Sequence, residues 1–376
     1  MVHVQQIQTN DKSALKAFID FPHELYKNDP NYVPELFIAQ RDLLTKHPFL
    51  IHSEIALFLA YDEKGKVVGR IAGILNNNHN NINQVKDGFF GFFDTVNDVN
   101  VAQGLFDAAE KWLKTKKVNK IIGPANPSTN ETCGLLIEGY DSPPVAMMTY
   151  NAPYYKDLIE QCHYKKMTDL LAWNIEAEDF DDKPFRLLEA LNKRLESKGI
   201  TIRNVDIKNF KEEIKNLLKV YNSAWDKNLG FVPMTDEEFK YLAKDLKLIL
   251  DTDFCLLAEH EGQVIGFALC IPDINQILIK IKKGRLFPLG IFKLLWNKRK
   301  INAMRVIALG VTEHYRKMGI EAVFYGKIIQ KGREKGYKRA EASWILEDNT
   351  MMNRALENIN AKAYKKYRFF EKELEA

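Results

Sequence analysis

Blocks from the first half of the chain recur in the second half, and this internal repeat limits the fold more than any other feature. Residues 57–72 (LFLAYDEKGKVVGRIA) match residues 255–268 (CLLAEHEGQVIGFA), and both are typical of a strand, an acidic turn, a glycine and a second strand. Residues 101–120 likewise resemble residues 319–338, in the pattern of a long helix. Recurring blocks in the same order indicate two copies of one structural unit.

The spacing between matching blocks changes along the chain. A third pair of blocks, residues 151–166 and 349–366, returns to the spacing of the first pair, whereas the second pair is about 20 residues farther apart. This change predicts one insertion in each copy, around residues 274–301 in the second copy and around residues 127–149 in the first.

The chain of 376 residues exceeds the roughly 100–200 residues of a single domain. We therefore predict two domains, 1–178 and 179–376, which meet at the acidic segment 176–184 (EAEDFDDKP). In each copy the predicted elements follow the same order: a first strand, a helical region, a hairpin, another strand, a long helix, a strand, a short helix and a final strand. This order predicts an α/β (α+β) class, with a mixed central sheet flanked by helices in each domain.

Composition and charge exclude several classes of protein. With 54 Lys+Arg against 50 Asp+Glu, the net charge of +4 is too small for a chain that binds nucleic acid over its whole surface. The four cysteines contain no C-x-x-C pair and no metal-ligand spacing, which favours free thiols in a reducing cytoplasm and no metal site. Neither a secretory signal nor an apolar run approaching the ~20 residues of a membrane span is evident, so we expect a soluble cytoplasmic protein.

A strand, a turn and a helix in the second copy form a pattern that is typical of an anion-binding site. The strand MRVIALGV (304–311) leads into a turn with Arg316 and Gly319 and then into a helix. The free N–H groups and the dipole of a helix N-terminus favour an anion, and glycine lets the backbone approach a phosphate. The alternative is a basic turn on a solvated helix start. The predicted pyrophosphate site comprises Arg316, Lys317, Met318, Gly319 and Ile320.

These motifs, together with the following strand (338–349) and the segment ENINAKAYKKYRFFEK (357–372), resemble the GNAT acyltransferase superfamily. The hairpin, helix and segment 150–173 of the first copy resemble the same fold, so the chain looks like a tandem GNAT protein of two domains. The resemblance implies that acyl-CoA, with acetyl-CoA as the first candidate, is the donor substrate, that Asn349 contributes to its site, and that the acyl group passes to an amine of a small molecule or peptide. For such a donor, backbone N–H groups of Leu309, Gly310 and Val311 are candidates to polarise the thioester carbonyl.

The chain departs from the family pattern at positions that matter for catalysis. Glu321 stands where the family has a final Gly or Ala, and Leu356 stands where the resemblance implies a tyrosine as the acid. The remaining catalytic candidates are Glu347 as a base and Tyr364 and Tyr367 as acids, although each of these residues is also explained by a purely structural role. In the first copy the turn aligns with residues 98–101 (DVNV), which contain neither a cation nor a glycine, so we expect that copy to be non-catalytic.

Both insertions are unusual in composition. Residues 274–312, here called the basic segment, contain nine Lys and Arg residues and no acid, interleaved with apolar side chains. Three interpretations remain open for it: contact with an anionic membrane surface, a lid over an anionic or acyl substrate, or ordinary packed helices with solvated lysines.

The composition of residues 123–155 in the first copy predicts a long structured loop. In this loop Asn126, Ser128 and Asn130 either line an acceptor pocket or bond to their own backbone.

Three hypotheses for function follow. The first is an acyl-CoA-dependent N-acyltransferase that works from the second domain. The second is a catalytically silent two-domain binding or scaffold protein. The third is a relative that transfers a long-chain acyl or an aminoacyl group, because the insertions can build an extended apolar cleft.

Overall fold

The computed structural model describes residues 2–179, 183–224 and 232–374. The strands in chain order are β1 (His3–Ile7), β2 (Ser53–Tyr61), β3 (Val67–Asn76), β4 (Asp87–Thr95), β5 (Lys120–Gly123), β6 (Ala125–Asn126), β7 (Thr132–Cys133), β8 (Leu135–Glu138), β9 (Lys165–Glu176), β10 (Ile200–Asn204), β11 (Cys255–His260), β12 (Gln263–Pro272), β13 (Ala303–Val311), β14 (Arg339–Leu346) and β15 (Lys362–Glu373).

The helices in chain order are α1 (Lys12–Leu25), α2 (Phe37–Thr45), α3 (Asn77–Asn83), α4 (Val99–Thr115), α5 (Tyr155–Gln161), α6 (Lys183–Glu196), α7 (Phe210–Ala224), α8 (Asp236–Leu246), α9 (Asn275–Leu278), α10 (Leu289–Asn297), α11 (Ile320–Glu334) and α12 (Thr350–Asn358). Among the described residues, none of these helices combines the length and the apolar character that crossing a membrane requires.

The chain folds into two compact units, and neither is one continuous stretch. The first unit extends to Leu171 and adds Asn275–Arg299 and the chain from Tyr364 onward, whereas the second comprises Ala172–Ile274 and Lys300–Ala363. Part of the predicted junction, residues 180–182, lies outside the described residues. The boundary between two inherited copies at residue 178 stays a prediction about the sequence.

The sheet of the first unit has the order β1-β2-β3-β4-β5-β15. Its strands pair antiparallel except β4 and β5, which are parallel, and β8 also pairs with β15. Strand β4 (DGFFGFFDT) is buried along almost its whole length, as expected for an apolar strand between two neighbours. Helix α4 covers the sheet because Val101, Leu105, Ala109 and Leu113 recur at helical spacing and are all buried.

The sheet of the second unit has the order β14-β13-β12-β11-β10. Strands β10 to β13 pair antiparallel in sequence, and β13 pairs in parallel with β14. Buried residues of α11, among them Val323 and Phe324, pack with Leu256, Ala268 and Val306 from the strands. Each unit thus has a mixed sheet with helices packed on it, and the predicted α/β (α+β) class is confirmed.

Most of the basic segment groups with the first unit. The guanidinium of Arg285 binds both carboxylate oxygens of Asp20 on α1 at 2.8 Å, and Lys283 pairs with Glu24 one turn farther along that helix. The side-chain amide of Asn275 donates to the carbonyl of Pro144 at 2.9 Å. Residues 275–299 are therefore attached to the first unit by charged and polar contacts, although the repeat assigns them to the second copy.

Candidate functional site

A tight turn in the second unit joins the end of β13 to the start of α11. Glu313–Tyr315 form a short 3₁₀ turn after the strand. The Tyr315 hydroxyl lies 2.9 Å from Nδ1 of His260 at the end of β11, and the backbone N–H of Thr312 donates to the carbonyl of Ile265 at 2.9 Å. Neighbouring strands therefore hold the turn in place before the helix begins.

Helix α11 begins at Gly319, and its N-terminus has no cap from the described side chains. The φ of Gly319 is 95°, which lies in the left-handed region that favours glycine. The first-turn N–H groups have no acceptor within the helix. Arg316 and Lys317 are exposed just before Gly319, and Nε of Arg316 donates to the carbonyl of Val311 at 3.2 Å. This arrangement favours a phosphate-like anion.

The other residues predicted at this turn face the core rather than the opening. Ile320 is fully buried, and Met318 packs against the same apolar cluster, so both residues border the turn through their backbone. Glu321 is the second residue of α11 and is half-buried.

Strands β13 and β14 separate beside the turn. In the described chain their ladder joins Ala303–Val306 to Arg339–Ala342, whereas β13 continues to Val311. On its other edge β13 stays paired with β12 as far as Val311, through residues that include the predicted Leu309 and Gly310. The last part of β13 thus has one edge that is not covered by β14, and an extended ligand can line up along such an edge.

Tyr325 on α11 is a candidate proton donor that the sequence motif did not reveal. Its hydroxyl lies 3.7 Å from Sδ of Met352 on α12. Burial raises the pKa of Tyr325 to about 12, with smaller contributions from Cys270 and Glu321. The phenol therefore keeps its proton at neutral pH and can donate it. The only signal in the sequence was its place on the helix that follows Gly319.

The predicted residues at α12 lie at the start of that helix. Asn349 is its N-cap, and its side-chain oxygen accepts from the backbone N–H of Met352 at 3.2 Å. Glu347 is exposed between β14 and α12, and its carbonyl accepts from the side-chain amide of Asn353 at 3.3 Å. Leu356, where the family resemblance implies a tyrosine, is buried in α12.

The structure places the two predicted acids on β15 in the first unit, whereas Arg316 and Gly319 belong to the second unit. Tyr367 is fully buried and faces Leu136 of β8 in the ladder, and Tyr364 is half-buried. Their roles in catalysis stay predictions.

The loop residues predicted to bind the acceptor make contacts within the first unit. Asn126 accepts a hydrogen bond from the backbone N–H of Phe92 at 2.6 Å, and Phe92 has a φ of 49°. Ser128 is buried and accepts from the N–H of Asn130 at 3.2 Å. Gly91 allows this loop to approach β4, because a Cβ there would lie 1.8 Å from the carbonyl oxygen of Ala125. These contacts hold the loop against the sheet.

The long helix of the first unit begins differently from α11. Asp98 is the N-cap of α4, and its carboxylate accepts from the N–H of Asn100 at 2.8 Å. An acidic side chain therefore already occupies the end of the helix where an anion would bind.

A buried polar cluster in the first unit was also missed from the sequence. The guanidinium of Arg70 pairs with Asp94 at 2.8 Å. The Tyr26 hydroxyl donates to the same carboxylate at 3.0 Å and lies 2.9 Å from the hydroxyl of Tyr155, which accepts from the N–H of Thr95 at 2.7 Å. Tyr26 directly follows α1, and the other residues lie on β3, β4 and α5, so no local motif connects them.

Two titratable groups lie near this cluster. Nδ1 of His23 is 2.8 Å from the Tyr32 hydroxyl, and among the described residues Nε2 of this buried histidine has no hydrogen-bond partner. Burial, followed by the charge of Arg70, lowers the pKa of His23 to about 4. Glu35 keeps accessible surface, yet desolvation by surrounding protein raises its pKa. With a pKa of about 4, His23 is neutral at neutral pH.

Within residues 2–179, 183–224 and 232–374, no group of three or more His, Cys, Asp or Glu side chains is arranged to hold a metal ion.

Comparison with known proteins identifies relatives along the whole chain. The Acetyltransferase (GNAT) family matches residues 215–358. Protein YghO of Escherichia coli is 38% identical over 97% of this chain and 94% of its own length. The protein named bacterial ceramide synthase of Caulobacter vibrioides is 33% identical over 98% of this chain and 97% of its own length.

Solved structures share the fold. A tandem GNAT protein from the clavulanic acid biosynthesis pathway has a TM-score of 0.58 at 10% identity, covering 99% of this chain and 98% of that chain. A GCN5-related N-acetyltransferase from Sphaerobacter thermophilus has a TM-score of 0.53 at 12% identity, covering 99% of this chain and 95% of that chain. The tandem arrangement indicated by the repeat is thus confirmed at the level of the fold.

Proposed function

Because the chain belongs to the GNAT acetyltransferase family and is a transferase, we propose that it is an acyl-CoA-dependent N-acyltransferase whose donor binds at the β13–α11 turn. The open helix N-terminus at Gly319 is the observation that carries this proposal. It lies within residues 215–358, the part of the chain that matches the family.

The residues at this turn suit the donor. The pyrophosphate of acyl-CoA is an anion, and the uncapped N–H groups of α11 are suitable donors to it. Arg316 and Lys317 supply positive charge beside them. The uncovered edge of β13 near Leu309 offers backbone groups to the extended, amide-containing arm of the donor.

The donor supplies an activated acyl group as a thioester. Backbone N–H groups near Leu309 are suited to stabilise negative charge on the carbonyl oxygen as the amine attacks. The phenol of Tyr325, protonated at neutral pH, is the candidate to return a proton to the leaving sulfur. Glu347, exposed beside α12, remains the candidate base that removes a proton from the amine.

We propose that the acceptor is the amine of a long-chain lipid and that the acyl group is fatty rather than acetyl. The supporting observation is the 33% identity, over nearly the whole chain, to a protein named a ceramide synthase. A ceramide is the amide formed from a fatty acid and a long-chain amino alcohol, and its synthesis requires N-acyl transfer. Acetyl-CoA with a small amine is the second candidate, supported by the family match.

We also propose a cytoplasmic location. The four cysteines are all buried and free, as is usual for proteins of reducing compartments.

Release of free thiol from acyl-CoA tests this function. The purified protein is incubated with acetyl-CoA or palmitoyl-CoA, each with sphinganine, with a small primary amine or without acceptor. We expect thiol release that depends on the amine, is fastest with palmitoyl-CoA and sphinganine, and falls at least about tenfold in Arg316→Glu. Tyr325→Phe should lower kcat with little change in KM.

The outcomes separate the hypotheses. Faster release with acetyl-CoA and a small amine would support the second candidate. Binding of acyl-CoA without transfer to any amine would contradict the enzyme proposal and favour a silent binding protein.

A further inference from the structure

The basic segment carries a cluster of large apolar side chains that remain exposed. On α10 and in the residues just before it, five such side chains each expose more than half of their surface. This apolar face comprises Phe287 (68%), Leu289 (70%), Phe292 (64%), Leu295 (65%) and Trp296 (83%). Exposed apolar side chains scattered singly are ordinary, but a contiguous group usually marks an interaction site.

The helix presents this face because its opposite side is attached to the first unit. Within α10, all of whose residues the structure describes, Gly290 alone is buried, and a Cβ there would lie 2.7 Å from the carbonyl oxygen of Arg285. Arg285 is held in turn by Asp20 and lies over the ring of Phe37, with 3.6 Å from the guanidinium carbon to the ring centroid. Leu289, Phe292 and Trp296 recur at helical spacing and thus share the exposed side.

Positively charged residues precede, interrupt and follow the apolar face along the chain. Lys282, Lys293, Lys298 and Arg299 are exposed, and residues 274–312 contain no acidic residue. A second copy of the chain that met this face symmetrically would bring like charges together, which disfavours self-association. An anionic lipid surface instead offers phosphate groups to the cations and acyl chains to the apolar residues, and tryptophan favours the boundary between them.

We propose that the apolar face of α10 and its surrounding cations form a docking surface for an anionic membrane. The helix lies flat in the headgroup region, with its apolar side chains among the upper parts of the acyl chains. The contact is peripheral and reversible. It does not depend on the proposed function, because it requires neither acyl-CoA nor an amine.

Vesicle flotation with the full chain tests this surface. The vesicles consist of phosphatidylcholine alone or of phosphatidylcholine mixed with phosphatidylglycerol. We expect binding to the mixed vesicles, weaker binding to the neutral ones, and weakening as salt is added. The double variant Phe292→Ser with Trp296→Ser should lower the partition coefficient about tenfold or more. Lys282→Gln with Arg299→Gln should lower it by about tenfold or more on the mixed vesicles only.

The control removes equally exposed apolar side chains from elsewhere. Ile51 and Met351 expose 80% and 82% of their surface, and neither belongs to the apolar face. The double variant Ile51→Ser with Met351→Ser should bind vesicles like the parent chain. A second measurement uses lipids brominated on their acyl chains, which should quench fluorescence in the parent chain more than in Trp296→Phe.

Two results would overturn the membrane proposal. One is vesicle binding that the Phe292 and Trp296 substitutions leave unchanged. The other is an absence of binding to the mixed vesicles. A dimer, seen by sedimentation, that the same substitutions dissociate would then show that the apolar face binds a second copy of the chain instead. Both readouts are made without acyl-CoA, so failure of the donor proposal cannot be mistaken for failure of this one.

Discussion

The long helices α4 and α11 occupy similar places in the two copies but begin in opposite ways. Asp98 caps α4 with its own carboxylate, whereas α11 begins at Gly319 with a positive φ and, among the described residues, no capping side chain. A carboxylate at a helix N-terminus stabilises the helix and occupies the region where a phosphate would bind. Of these two helices, α11 is the one whose N-terminus lacks a described side-chain cap, as the proposed donor site requires.

Both units bury bonded polar groups. In the first unit, Arg70, Asp94, Tyr26 and Tyr155 form one bonded cluster, with His23 and its lowered pKa nearby. Buried polar groups of this kind stabilise a fold only when their partners are present. The second unit buries a comparable cluster, in which Nε of Arg305 donates to the hydroxyl of Ser343 at 3.0 Å and that hydroxyl donates to Glu341 at 2.5 Å. The two units therefore differ at the start of their long helices and not in whether they bury charge.

Breaking the buried ion pair of the first unit should have the largest effect on stability. Arg70→Met leaves the buried carboxylate of Asp94 without its cation and should lower the free energy of unfolding by about 3–5 kcal/mol. Urea denaturation measures this loss. The matched control is Lys116→Met, which removes a more exposed pair with Glu54 and should cost no more than about 1 kcal/mol. Equal losses of unfolding free energy in the two variants would show that the Arg70–Asp94 pair stabilises the fold no more than the exposed Lys116–Glu54 pair does.

The pH dependence of stability should reveal His23. Its pKa is lowered from 6.5 to about 4 in the folded chain, so the unfolded chain binds a proton first as the pH falls. The stabilisation is fully present above pH 6.5 and should be lost between about pH 6.5 and 4, up to about 3 kcal/mol relative to His23→Gln. Urea denaturation across this range gives both curves.

The comparison of those two curves also separates His23 from Glu35. The pKa of Glu35 is raised, so its contribution has the opposite sign and is lost as the pH rises. Because Glu35 is present in both chains, the difference between the curves reports His23. Parallel curves would contradict a lowered pKa.

Removing the cap of α4 should have the smallest effect. Asp98→Ala should lower the free energy of unfolding by about 1 kcal/mol. Asn349→Ala at the start of α12 should lower the free energy of unfolding by a similar amount, because its side chain caps that helix in the same way.

The same Asp98→Ala variant should not bind acyl-CoA at the start of α4. The aligned residues 98–101 contain no counterpart of Gly319 or Arg316, so calorimetry should detect no new site. A gain of binding there would show that the cap alone closes the first helix to the donor.

The sequence predicted the features that depend on local patterns. The repeated hairpins and helices indicated the α/β class, and the Arg316–Gly319 spacing located the turn at which the structure leaves a helix N-terminus open. The assignment of segments to units was not predictable in this way. Tyr364 and Tyr367 follow α12 in sequence, but they fold with the first unit because β15 pairs there with β5 and β8.

Contacts between residues that are distant in sequence could not be predicted either. Tyr26 follows α1 and Tyr155 begins α5, and their hydroxyls meet beside the carboxylate of Asp94 on β4. Asn126 was predicted as an acceptor-binding residue, and the structure shows its side chain bonded to the backbone of β4. Neither contact produces a pattern along the chain, since both depend on how the elements pack.

Isothermal titration calorimetry with palmitoyl-CoA and acetyl-CoA tests the central claim most directly, by comparing the parent chain with Gly319→Asp and Gly336→Asp. Gly336 has a φ of 76° just after the other end of α11, and a Cβ added there would meet no described atom within 4 Å, so its substitution imposes similar backbone strain away from the turn. If the β13–α11 turn binds the donor, Gly319→Asp should weaken binding at least about tenfold, whereas Gly336→Asp should bind like the parent. Equal affinity in all three chains would contradict the account.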